Sequence, residues 1–321
     1  MTFNNKNFYF ETSAVNYLVD KFSWKDAIAT KGLQSVKGNI WYLSPITLWE
    51  IMLTSDEVRR EKIIFLCQHL FHEKLMNSPA EFIVNYIYAG CPLVENKYDF
   101  HSKLPLSITW ADVCQDKRKT LVYDFSVIKE KTKIFQNFSK QLDKIIHRVI
   151  LDITIKDDEF LLQQFANHFY NQVKDELKND SVENQKIIKI SILFIFYTLC
   201  LEADLDSTPY NNFWERIGIK DTIQRLNFIT INYKDLIFRG PFYQMAIMAY
   251  HQITLEQKSN RGLFMDCLHS IYITYADIFI TNDEHFKTLK EKEIHPNFSK
   301  IHHINEIEIT TQLREIFQPD K

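Results

Sequence analysis

Glycine is scarce, with only six in 321 residues. A turn-rich all-β chain needs many more positions of unrestricted backbone, so this count argues against a sandwich or barrel. Long apolar runs are lacking too. The longest uncharged one, Ile190 to Leu201, has 12 residues, whereas a membrane-spanning helix needs about 20 apolar ones; it reads as a buried helix, and no membrane partner is expected. Cysteine is sparse and scattered: five residues with no C-x-x-C pair, which fits a reducing compartment better than a disulfide framework or a zinc ribbon. The start, MTFNNKNFYFETS, lacks the basic and apolar stretches of an export signal, so the expected location is cytoplasmic. Net charge is only −3, so any nucleic acid must be held by a local basic surface or through metal.

Core material is abundant. Hydrophobic residues make up 45% of the chain, with 25 Phe and 15 Tyr, which excludes a mainly disordered protein. The length suits two domains or one domain with a large insertion. Near the start, Phe8-Tyr9-Phe10 is a strand candidate, followed by Thr12-Ser13 and by Val15, Leu18, Val19 and Phe22 at helical spacing. The unit repeats: Ile40 to Leu43 as strand, Ser44 as N-cap, Pro45 at the first helical position and a helix through Leu53. Two βα units in succession imply a parallel sheet.

From Thr54 the character changes. Thr54-Ser55-Asp56-Glu57 has the form of a capping box and opens an expected helix to about Met76. Further helices are expected over Val113–Thr154, Asp157–Lys178 and Val182–Leu201, with loop signals at Gly90-Cys91-Pro92, Leu104-Pro105 and Asp206-Ser207-Thr208-Pro209. The βα character then returns: Phe228 to Ile231 as a strand, a helix after Pro241, a helix over Leu263–Tyr275, Ile278 to Thr281 as strand, a helix to about Lys292 and a last strand near Ile301 to Ile304. The expected fold class is α/β, a parallel β-sheet flanked by helices and formed by both chain ends (1–54 and 226–321), with an all-helical insertion over 55–225.

In open parallel sheets ligands bind outside the carboxyl ends of the strands. Glu11 directly follows the first strand and Asp283 follows Ile278 to Thr281, which brings both to one rim. Glu50 lies about one and a half turns into the helix after the second strand, and Asp266 falls in the first turn of its helix, where the dipole favours an anion. Taken singly, each is an ordinary surface acid. Together, four carboxylates at one rim repel one another unless cations neutralise them. Mg²⁺ or Mn²⁺ suits such hard oxygen ligands, and these ions activate water and stabilise charge at phosphoryl groups.

Four segments carry a resemblance: Phe8-Tyr9-Phe10-Glu11-Thr12-Ser13, Ser44-Pro45-Ile46-Thr47-Leu48-Trp49-Glu50, Met265-Asp266-Cys267-Leu268-His269, and Ile278-Phe279-Ile280-Thr281-Asn282-Asp283-Glu284-His285-Phe286. They resemble the acidic motifs of the PIN-domain nucleases over residues 7–54 and 262–304. The resemblance implies a five-stranded parallel sheet, a Mg²⁺ or Mn²⁺ site made by Glu11, Glu50, Asp266 and Asp283, and metal-dependent endoribonuclease activity, a hydrolase acting on RNA. The opening acid is Glu11 where Asp is usual, one methylene longer. The insertion is absent from the compact toxin members, so their antitoxin pairing does not carry over.

Ser13 and Asn282 read first as cap or turn residues, and are candidates to hydrogen-bond a ligand carboxylate or metal-bound water. Asp277, 11 residues beyond Asp266, lies about 16 Å along a helix, too far to share a metal. His69 and His72 beside Glu73 match no zinc motif. Lys117 to Arg148 holds nine Lys and Arg against three acids, interleaved with Tyr123, Phe125, Phe135 and Phe138; the pattern reads as a solvated helical face before a single-strand grip. RNA, single-stranded or structured, is the expected substrate. DNA is the alternative, because metal chemistry at phosphate is blind to the sugar. A catalytically weak module binding RNA or protein is the rival reading, with an inhibitor protein or a second copy of the chain as further candidate partners.

Overall fold

A computed structural model describes residues 5–21, 39–88, 106–109, 140–151, 160–201, 209–256 and 262–306. The chain divides into two compact units, Met1–Ser78 with Phe100–Thr132 and Tyr272–Lys321, and Pro79–Asp99 with Lys133–Ile271.

The first unit is α/β. It contains β1 (Asn7–Phe10), α1 (Thr12–Lys21), β2 (Ile40–Tyr42), α2 (Pro45–Met52), α3 (Glu57–Leu70), β3 (Lys74–Met76), β4 (Leu106–Thr109), β5 (Ile278–Thr281), the Glu284–Glu291 helix and β6 (Ile301–His303). Four strands form a parallel sheet in the order β2-β1-β5-β6. A parallel strand covered on both faces reads as an unbroken apolar run, and Phe8, Tyr9 and Phe10 are fully buried. Phe8 and Phe10 face a core shared with Leu18, Trp41, Cys67 and Phe71; the Phe10 ring lies 5.0 Å from Trp41 and 5.1 Å from Phe71. Tyr9, on the other face, stacks on Tyr272 at 4.5 Å.

Ser44 caps α2 and Pro45 opens it, as the sequence predicts. The next helix differs from expectation at both ends. Its cap is Asp56, which accepts a hydrogen bond from the Arg59 N–H at 3.0 Å, and it stops at Leu70 rather than Met76. Phe71 turns extended, letting the N–H groups of His72 and Met76 bond the carbonyls of Trp41 and Leu43 at 2.7 and 2.8 Å. Sheet pairing here overrides helical propensity, and β3 pairs antiparallel with β4. The middle of the chain is therefore not all-helical. The unit boundary is also displaced from the change of character after Leu53, because α3 buries Ile63, Ile64, Leu66, Cys67 and Leu70 in the core beneath the sheet.

Asp277 pins the start of β1. Its carboxylate accepts from the Asn7 N–H at 2.9 Å and its own N–H donates to the Asn7 carbonyl at 3.0 Å. Asp277→Ala is expected to destabilise the protein by about 1–2 kcal/mol, measured as a lowered urea midpoint with an unchanged slope.

The second unit is helical throughout its described residues: Pro79–Tyr88, 140–150, Phe160–Val173, Val182–Ile195 followed by a π-turn over Phe196–Leu201, Pro209–Ile217, Thr222–Asn232, Asp235–Phe238, Gly240–Glu256 and the first part of Leu263–Tyr275. The uncharged run is buried, as expected, from Ile190 through Tyr197. Phe228 to Ile231, expected as a strand, lies inside the Thr222–Asn232 helix. Asp221 caps that helix, accepting from the N–H groups of Ile223 and Gln224, and Leu226 and Ile229 bury at a spacing of three. A four-residue apolar run has no period of its own to tell the two states apart. Gly240 has φ +80°, and a Cβ there would meet the Tyr86 ring within 2.8 Å, so only glycine fits.

Among the described residues no helix is long and apolar enough to cross a membrane. The loop signals at Gly90-Cys91-Pro92, Leu104-Pro105 and 206–208, and the basic segment up to Phe138, lie outside the described residues.

One buried group of this unit is out of place in an apolar interior. Asp143 is 7% exposed, its Oδ1 has no hydrogen-bond partner among the described residues, and burial pushes its carboxyl up to about 7.

Candidate metal centre

At the carboxyl end of β1 the backbone of Glu11 still belongs to the sheet, its N–H donating to the Ile280 carbonyl at 2.9 Å. The side chain is 6% exposed. Its Oε1 accepts from the Ser13 N–H at 2.9 Å, and its Oε2 accepts from the Ser13 hydroxyl and from the Thr281 hydroxyl, the latter at 3.1 Å. Glu50, on α2, accepts the Thr12 hydroxyl. A carboxylate oxygen of Glu11 and one of Glu50 lie within 4.8 Å of each other, the separation at which two charges share one counter-ion.

Beneath this pair, the Tyr9 hydroxyl bonds Ser44 Oγ at 2.9 Å and Thr47 Oγ1 at 3.4 Å, tying β1 to the first turn of α2 and so fixing where Glu50 projects. Burial, with smaller contributions from the charges of Glu11 and Glu50, pushes the phenol well above its ordinary value, while the Ser44 and Thr47 hydroxyls oppose the shift. Tyr9 is therefore a neutral structural hydroxyl.

Asp283 follows β5. Its carboxylate caps the Glu284–Glu291 helix, accepting from the His285 N–H at 2.9 Å. Burial pushes its carboxyl up; the cap bond opposes this, Glu284 adds to it and His303 lowers it. Two hydroxyls join this end of the site to Glu11. Thr281 Oγ1, which donates to Glu11, accepts from the Asp283 N–H at 2.9 Å. Ser13 Oγ accepts from the Asn282 N–H at 2.9 Å. Ser13 thus bonds Glu11 through both its N–H and its hydroxyl, while Asn282 contributes its backbone N–H.

Glu11, Glu50 and Asp283 belong to the first unit. Asp266 is described with the second, in the first turn of the Leu263–Tyr275 helix, where its carboxylate accepts from Gln252 Nε2 at 2.9 Å. The chain matches no protein-family model, no curated protein and no solved structure.

Sequence reasoning missed two residues. Thr281, fully buried, is the clamp between Glu11 and Asp283; its only signal was a hydroxyl ending a strand just before Asn282-Asp283. His269, 1% exposed, lies one turn beyond Asp266, and this i,i+3 spacing puts an imidazole on the helix face of the acid. His69 and His72 make local contacts instead: His69 Nδ1 pairs with the Phe65 carbonyl at 2.7 Å and His72 Nδ1 accepts from the Lys74 N–H at 3.1 Å.

The donor set of the first unit is entirely carboxylate oxygen, the chemistry that suits Mg²⁺ or Mn²⁺. Zinc and copper sites draw chiefly on nitrogen and sulfur, with carboxylate as an added ligand. Cys67 and Cys267, the free thiols among the described residues, are buried, and burial pushes both thiols well above their ordinary value.

Proposed function

We propose that this protein is a metal-dependent nuclease with RNA as its first-choice substrate, and that Glu11, Glu50, Asp266 and Asp283 hold one or two Mg²⁺ or Mn²⁺ ions. The observation that carries the proposal is the approach of the Glu11 and Glu50 carboxylates to within 4.8 Å at the strand-end rim that also bears Asp283. Two charges so close repel in the absence of a cation. A bound divalent ion supplies water activation and charge stabilisation at phosphorus. The chain's own contribution is placement: Thr12 orients Glu50, Ser13 and Thr281 orient Glu11, and Thr281 holds the backbone that presents Asp283. Asp266 enters from the motif resemblance, as does the PIN-like fold.

The test is cleavage of labelled single-stranded RNA and DNA by wild type and Asp283→Ala, with Mn²⁺, Mg²⁺ or EDTA. Metal-dependent cutting of RNA, lost in the variant and in EDTA, is the expected outcome. Cutting of DNA alone would replace the substrate class while keeping the site. Unchanged cutting by a folded Asp283→Ala protein would remove Asp283 from the mechanism.

One observation favours a second reading, a catalytically weak binding module. Both carboxylate oxygens of Glu11 are engaged by Ser13 and Thr281, so the residue already has a structural role. Glu11→Asp separates the readings. The shorter acid raises activity if the site is a degenerate one, and lowers it if the glutamate is the fitted ligand.

A further inference from the structure

Asp266 is not held by its own helix alone. Its N–H donates to the Gly262 carbonyl at 3.0 Å, and both its carboxylate oxygens lie about 4.0 Å from where a Cβ on Gly262 would be, so the carboxylate sits over the turn that starts the helix. From the Gly240–Glu256 helix, Gln252 reaches the same carboxylate, donating from Nε2 to Oδ2 at 2.9 Å. Gln252 is 3% exposed. The opposite amide orientation would set two acceptors against each other, so the carboxylate fixes which end of the amide faces it. Its Oε1, fully enclosed, has no hydrogen-bond partner among the described residues.

Burying an amide with one end bonded and the other unmatched costs stability. An apolar side chain of similar size at position 252 would avoid that cost, and a leucine packs well in a helical interior. Retaining an amide there makes sense if its donor end is used. Holding a carboxylate by a second-layer amide selects the rotamer and leaves the remaining lone pairs pointed at the metal.

We propose that Gln252 is the positioning residue for Asp266, its amide N–H fixing the carboxylate rotamer in which the acid would hold a divalent cation. The inference rests on the reading of Asp266 as a ligand, and it adds a residue that none of the acidic motifs contains.

The test is Mn²⁺ binding by the full chain, followed by the loss of the free-ion electron paramagnetic resonance signal, for wild type, Asp266→Asn, Gln252→Leu and Gln252→Asn, with far-ultraviolet circular dichroism to verify folding. Gln252→Leu deletes the amide, and Gln252→Asn keeps it one methylene too short. Both are expected to weaken Mn²⁺ binding about 10-fold or more, with RNA cleavage recovering at saturating Mn²⁺, a recovery that a merely structural residue would not give. If Gln252→Leu does not fold, Gln252→Asn decides. Wild-type affinity in a folded Gln252 variant, alongside weakened binding in Asp266→Asn, overturns the role of Gln252 alone. Wild-type affinity in Asp266→Asn overturns the ligand assignment itself, and with it this inference.

Discussion

Glu50→Gln should abolish metal-dependent cleavage and at the same time raise the melting temperature of the metal-free protein. The two effects have one origin. The glutamine is nearly isosteric and still accepts the Thr12 hydroxyl bond, so the local fold is kept and only a charge is removed. That charge lies within 4.8 Å of the Glu11 carboxylate. At an effective dielectric near 20 such a pair repels by roughly 3 kcal/mol, and partial solvation of Glu50 reduces the relief to about 1–2 kcal/mol. In a small domain this is a rise of several degrees. Loss of a directly ligating acid should lower cleavage by more than the roughly 10–100-fold that follows loss of an outer-shell partner. Calorimetry with and without Mn²⁺ reads the same site without an activity assay: Mn²⁺ should stabilise wild type in proportion to its concentration over Kd and leave Glu50→Gln unmoved. Equal Mn²⁺ stabilisation of both proteins would remove Glu50 from the ligand set.

Asp143→Asn should be more stable than wild type at pH 8 and no more stable at pH 4. Asp143 is held in the folded state with its carboxyl at about 7, against about 3.9 in an unfolded chain. Between those values the folded protein keeps a proton that the unfolded chain has released. Stability conferred by the neutral acid is therefore complete below about pH 4, falls as pH rises toward 7, and is flat above it. The full difference is as much as about 4 kcal/mol, an upper bound because local opening admits water to the charge. The asparagine carries no titrating proton, so its stability should lack this slope. Urea denaturation at pH 4, 6 and 8 checks the sign, and parallel pH profiles for the two proteins would show that Asp143 titrates normally.

How much of this was legible beforehand depends on how local each signal is. The βα units at residues 7–21 and 40–52, and the helix, strand and helix over 263–291, were readable because each carries its own punctuation: an apolar run buried on both faces, Ser44 and Pro45 opening a helix, Asp283 closing one strand and capping the next helix. β3 was not readable. Three residues carry no period, and Lys74–Met76 is extended only because the carbonyls of Trp41 and Leu43 await its N–H groups and those of His72. Phe228 to Ile231 failed for the converse reason: it is as apolar as a strand, and only Asp221, seven residues earlier, announces the helix.

At the site, the acids were visible as residue types at strand ends, and the approach of Glu11 to Glu50 followed from parallel pairing of β1 with β2. Thr281 and Gln252 were not visible. A hydroxyl or an amide acquires its meaning from what lies across the fold, here Glu11 at 3.1 Å and Asp266 at 2.9 Å.

The strand order β2-β1-β5-β6 also bears on how the chain is made. Phe10 pairs with Ile280, so one side of β1 waits while the next 270 residues are synthesised. At about 5–20 residues per second this is roughly 15–50 s. For that time Phe8-Tyr9-Phe10 can pair only with β2, leaving three aromatic residues on an open edge as the ribosome works. A truncation anywhere between Glu50 and Ile278 should therefore yield insoluble protein, even though the segments it retains include both Glu11 and Glu50.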